Sequence, residues 1–70
     1  MAERRKLIKL RTDKGLKQKD VAEALNITTS YYGMIEQGKR TPNLELARMI
    51  AQYFEKSIEE IFFNDTNNFL

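Results

Sequence analysis

The sequence predicts an all-α fold of five short helices, and three observations carry that prediction. Apolar residues recur at three- and four-residue spacing almost throughout, which is the helical period. No stretch shows the alternation of a half-buried strand. Breaks at Gly15, Asn26, Gly38, Thr41-Pro42 and Glu55-Lys56-Ser57 cut the chain into five segments.

Helix 1 is predicted from about Ala2 to Lys14, with Leu7, Leu10 and the stem of Arg11 inward and Gly15 as its C-terminal cap. Helix 2 runs from about Gln18 to Leu25 and offers Val21, Ala22 and Leu25 to a core. Helix 3 starts at Thr28 or Thr29 under a hydroxyl cap and turns Tyr32 and Ile35 inward. Helix 4 follows Pro42 with Asn43 as cap, and its predicted buried stripe is Leu44, Ala47, Ile50, Ala51 and Phe54. Helix 5 opens at Ser57, where Ser57-Ile58-Glu59-Glu60 has the form of a capping box, and presents Ile58, Ile61 and Phe62. Residues 64–70, NDTNNFL, form a polar tail with an apolar end.

Seventy residues make one domain, 1–70, without repeats, low-complexity segments or room for a separate sensor domain. A chain this short buries only about 60% of its unfolded surface. It has no cysteine and no histidine, which excludes disulfides and the usual transition-metal sites. Helix packing, a partner subunit or both must therefore supply stability. No apolar run approaches the ~20 residues of a membrane span. The charged start from Glu3 to Lys6 lacks the core of a signal peptide, so a cytoplasmic protein is expected. No metal, cofactor, membrane or small-molecule ligand is expected. Enzymatic readings are weak, because nucleophile–base pairs are scarce without His or Cys and no Gly-rich phosphate loop is present.

Charge is uneven along the chain. Eight cations against two acids give residues 1–19 a charge of +6, and four against eight give residues 20–70 a charge of −4. A basic pole attracts phosphate, although for charge alone a solvated helix face is the preferred reading. For Arg4-Arg5-Lys6, a solvated first turn is the preferred reading over an arm that reaches a ligand, since cations oppose the helix dipole there.

The run Gln18–Gly38, QKDVAEALNITTSYYGMIEQG, has the layout of a helix-turn-helix. Ala22 supplies the small side chain that a close helix crossing needs. Val21, Leu25 and Ile27 are apolar and close the core under the turn. Asn26 sits in the turn, where a left-handed backbone is required and Asn tolerates it. Tyr32 and Ile35 form the inward face of helix 3. Such a unit places its second helix in the DNA major groove.

With Gln18, Val21-Ala22, Leu25-Asn26-Ile27-Thr28, Ile35-Glu36-Gln37-Gly38, Lys39-Arg40-Thr41-Pro42 and Ser57-Ile58-Glu59-Glu60-Ile61, the chain resembles the Cro/repressor-like (XRE-type) helix-turn-helix family over about residues 5–63. The resemblance implies a five-helix, lambda-repressor-like domain that binds double-stranded operator DNA as a homodimer. It implies base reading by Thr29, Ser30, Gly33 and Met34 on the outward face of helix 3. Phosphate contacts fall to Lys17, Gln18, Gln37, Lys39, Arg40 and Thr41, with Tyr31 flanking. Arg11 and Glu36 match a structural ion pair that ties helix 1 to the end of helix 3.

This chain departs from the family at the reading face, which has no Gln, Arg or Asn to bond a base bidentately. Hydroxyls bond several bases and Met34 can touch a thymine methyl, so DNA shape or water carries part of any specificity. Gly33 within a helix costs about 1 kcal/mol relative to Ala. It is either a way to bring the helix close to DNA or a tolerated change on an exposed face. Tyr31 either stacks or bonds at the backbone, or is simply exposed.

Helix 4 also carries a second apolar stripe, Leu46, Met49 and Tyr53. With Phe62, Phe63, Phe69 and Leu70 it forms an expected dimer interface, the rival being a tail folded onto its own helix 4. Two functions are therefore in play. One is a DNA-binding transcriptional regulator, expected to be a repressor of phage, mobile-element or restriction–modification type. The other is an antitoxin-like protein-interaction module that keeps the fold without specific DNA recognition.

Overall fold

Capping chemistry sets the helix boundaries in the computed structural model, which describes residues 3–63. The helices are α1 (Arg5–Asp13), α2 (Gln18–Leu25), α3 (Thr29–Glu36), α4 (Leu44–Tyr53) and α5 (Ile58–Phe62), with no strand among the described residues. At the N-termini, Thr28, Asn43 and Ser57 accept from the third residue onward, Tyr31 N, Leu46 N and Glu60 N, at 3.0, 2.8 and 3.1 Å. Glu60 returns a bond from Ser57 N at 2.9 Å and completes the capping box. Before α2 only half of such a box forms: Asp20 accepts from Lys17 N at 2.8 Å, and a lysine side chain has no lone pair to answer with.

The first four helices end alike. Gly15, Asn26, Gly38 and Glu55 all have positive φ, at 71°, 61°, 79° and 57°. Beyond each, an amide reaches back five residues to a carbonyl: Leu16 to Arg11, Ile27 to Ala22, Lys39 to Met34 and Lys56 to Ala51, at 3.2, 3.0, 2.9 and 2.9 Å. This is the Schellman termination, and it reverses the chain over about two residues. Asn26 therefore adopts the left-handed turn that the sequence predicts. Glu55 adopts it without the freedom of Gly or the tolerance of Asn.

The core gathers Leu7, Val21, Ala22, Leu25, Tyr32, Ile35, Leu46, Ile50, Ala51, Phe54 and Ile61. Ala22 is 1% exposed where α2 and α3 cross, the principal helix contact. A small side chain is needed there, because a larger one would hold the two backbones apart.

Three expectations are corrected. Helix 1 starts at Arg5, because Arg4 has a non-helical backbone, with φ −87° and ψ 81°, and its N–H bonds Glu36 O at 2.8 Å. Leu44, assigned to the core, is 67% exposed at the first turn of α4. Leu46, assigned to a dimer stripe, is 8% exposed and packs in the core. Leu44 stands three residues before Ala47 and Leu46 four before Ile50, so periodicity alone does not choose between them. The packing of α4 chooses: Leu46 joins Leu25 and Ile50 in the core cluster. Of the remaining stripe, Tyr53 packs half-buried and meets Phe54 edge-on at 5.0 Å, while Met49 stays 37% exposed.

Candidate nucleic-acid interface

The site is built on a buried ion pair. Arg11 Nε donates to Glu36 Oε2 at 2.6 Å and Nη2 to Oε1 at 3.1 Å, a bidentate fork. Arg11 Nη1 also holds Leu16 O at 2.9 Å, which fixes the entry to α2. Glu36 is 2% exposed. Burial alone would raise its carboxyl, but the hydrogen bonds from Arg11 and Gln18 outweigh this and hold it below the ordinary carboxylate value. The bond to Glu36 raises the Arg11 guanidinium in turn. Tyr32 is fully buried beside this pair, its hydroxyl interacting with Glu36 but outside hydrogen-bond geometry. Burial, with the Glu36 charge nearby, pushes that hydroxyl up.

Gln18, the first residue of α2, joins this network: its Nε2 donates to Glu36 Oε1 at 2.9 Å. A primary amide has two N–H donors, and this bond uses one of them. On its way the side chain crosses α3 at Gly33. A Cβ placed on Gly33 would stand 3.2 Å from Gln18 Oε1. Gly33 is accordingly buried, not outward-facing, and neither account of it as a surface residue holds. A side chain on residue 33 would require the Gln18 amide to give by a few tenths of an ångström.

Of the other expected base readers, Thr29 and Ser30 are exposed in the first turn of α3 and Met34 is half-buried. Gln37, Lys39, Arg40 and Thr41 are exposed after the helix, and Lys17 is exposed before α2. Tyr31 is half-buried, and the Arg40 guanidinium stands 5.2 Å from its ring centre, within cation–π range. Both flanks of α3 are thus tied to it, Gln18 on one side and Arg40 on the other. The expected contacts Phe69 and Leu70 lie outside the described residues, while Phe62 is half-buried and Phe63 is 51% exposed.

Sequence reasoning missed Arg4. Its side chain is partly buried and reaches across to the end of α3, where Nη1 donates to Ile35 O at 2.8 Å. Its sequence neighbours, Arg5 and Lys6, gave no signal for this, because the acceptors are main-chain carbonyls more than thirty residues away.

A short scaffold, a tight α2–α3 turn and an α3 exposed at its first two residues, with Lys17 and Arg40 exposed nearby, meet a direct comparison. A profile of the family described as helix-turn-helix matches residues 7–61. The chain belongs to the helix-turn-helix family. Its relatives include the HTH-type transcriptional activator BcrR of Enterococcus faecalis, 38% identical over 56 residues, which are 80% of this chain and 28% of the activator. An uncharacterized HTH-type transcriptional regulator of Bacillus subtilis, YqaF, is 39% identical over 67 residues, 93% of this chain and 84% of that protein. A third, from Methanocaldococcus jannaschii, is 43% identical over 47 residues, 67% of this chain and 71% of its own length. No solved structure matches. Family and relatives together support a DNA-binding regulator. Among its described residues no helix is long and apolar enough to cross a membrane.

Proposed function

We propose that the chain is a cytoplasmic repressor of phage, mobile-element or restriction–modification type that binds operator DNA as a homodimer, with α3 in the major groove. The observation that carries this reading is the clamping of α3 from both sides. Gln18 is locked at one flank with a second amide donor, and Arg40 rests on Tyr31 at the other. Thr29, Ser30 and Met34 lie between as the base-facing set. Lys17, Gln18, Gln37, Lys39, Arg40 and Thr41 take the phosphates, and their contacts fix register without reading sequence. Hydroxyls and a thioether give tolerant readout, so operator shape contributes to selectivity.

Apolar exposure supports the dimer. Leu44 and Met49 are 67% and 37% exposed. Leu44, Ala47, Ile58, Phe62 and Phe63 line an apolar groove of about 310 Å³. Two copies joined there would read half-sites roughly 34 Å apart. Selection of bound duplexes from a random pool tests the reading. Enrichment of a two-fold symmetric site with half-sites about one helical turn apart supports it, together with a dimeric mass by sedimentation at tens of micromolar. No enriched sequence and no salt-dependent binding would favour the protein-interaction module instead.

A further inference from the structure

We infer that Arg4 is a positioning residue for DNA binding, which holds the loop after α3 in the shape that grips phosphate. The inference rests on the proposed groove docking and names a residue which that reading leaves out. Arg4 precedes α1, yet nearly all its bonds go to the far end of the motif. Its backbone N–H donates to Glu36 O at 2.8 Å. Its Nη1 donates to Ile35 O at 2.8 Å and to Arg40 O at 3.2 Å, and Nη2 to Thr41 Oγ1 at 3.5 Å. The guanidinium also stands 5.4 Å from the ring centre of Phe62 on α5.

A planar fork suits this task. The last carbonyls of a helix have no intrahelical donor and carry the negative end of its dipole, so a cation with several fixed donors satisfies them. Here the same fork continues to the main chain of Arg40 and the hydroxyl of Thr41. The loop that carries Lys39, Arg40 and Thr41 is thus held to α3 from outside as well as by its own bonds, Lys39 N and Arg40 N to Met34 O at 2.9 and 3.3 Å. Arg4 thereby orders the phosphate-facing residues before DNA arrives, which lowers the cost of ordering them on binding.

Two measurements on the full chain test this, each made well below the unfolding midpoint of every variant. In amide hydrogen exchange without DNA, Arg4→Met should speed exchange of the Lys39 and Arg40 amides about tenfold, with those of Val21 and Leu25 unchanged. In duplex titration, Arg4→Met should weaken binding about tenfold in the native background but less than twofold in Lys39→Ala/Arg40→Ala, because the loop it positions has lost its cations. Arg4→Lys keeps the charge and stem and folds more safely. It should show the same pattern in weaker form, since an ammonium lacks the fork. Unchanged loop exchange, an equal loss in both backgrounds, or full rescue by Lys overturns the inference. If Lys39→Ala/Arg40→Ala leaves binding intact, the groove reading fails and takes the DNA role of Arg4 with it. Faster loop exchange in that case marks Arg4 as a clamp only.

Discussion

The Gln18 side chain lies across α3 at Gly33, with Oε1 3.2 Å from the place a Cβ would take. Two helices of the motif are keyed together there by an absent side chain and a fixed amide, which leads on to Glu36. On an ordinary helix, Gly→Ala stabilises by about 1 kcal/mol.

Gly33→Ala should therefore gain less than that ordinary amount, or lose stability, because the amide must move off Glu36. In a Gln18→Ala background the same change should recover the full gain of about 1 kcal/mol. Urea unfolding of the four proteins in this cycle measures the coupling. Additive effects would show that Gln18 does not fill the space.

Breaking the Arg11–Glu36 pair should cost about 3–5 kcal/mol, since removal of one partner leaves a buried charge alone. The pH dependence carries a sign. Glu36 has a lowered pKa in the native protein, so its contribution is present above the unfolded value of about 4.3 and is lost as pH falls through the folded value. With Arg11→Met, the burial that favours the neutral acid is far less opposed. The folded pKa then rises, and the variant should gain stability relative to its pH 7 value as pH falls toward 5. Denaturant midpoints for both proteins at pH 7 and pH 5 check this; parallel shifts would contradict it.

Glu55 and Gly15 stand at equivalent positions of two helix ends, at φ of 57° and 71°. Glu55→Gly should stabilise by about 0.5–1 kcal/mol, by relief of a left-handed non-glycine residue. Gly15→Ala should destabilise by about 1 kcal/mol although its Cβ would meet open space, because the cost is in the backbone. Thermal midpoints that move in opposite directions are the expected result.

Much of this architecture is legible in the sequence because it is local. Asn26, Thr28, Asn43 and Ser57 act within four residues of themselves, and Val21, Leu25, Tyr32 and Ile35 follow one helical period. What escapes is what depends on another element. Leu44 shares a helical spacing with Ala47 and Leu46 with Ile50, and only the packing of α4 on the other helices decides which is covered. Gly33 looks like a surface glycine until Gln18 is laid over it. Arg4 reads as part of a solvated basic turn, because its acceptors are main-chain oxygens of α3 and the loop beyond it. The proposed phosphate and base contacts come from matching motif positions.

The central claim is that α3 docks in the groove while its flanks grip phosphate, and salt dependence tests it most directly. Binding to a selected duplex and to a random duplex is titrated over a range of salt for the native chain, Lys39→Ala/Arg40→Ala and Ser30→Ala/Met34→Ala. The account predicts that loss of Lys39 and Arg40 weakens both duplexes alike and flattens the log–log salt slope by about 2, one contact for each cation. Loss of Ser30 and Met34 should leave the slope unchanged and shrink the preference for the selected duplex. Salt slopes that stay the same without Lys39 and Arg40, or a preference that survives loss of Ser30 and Met34, would contradict it.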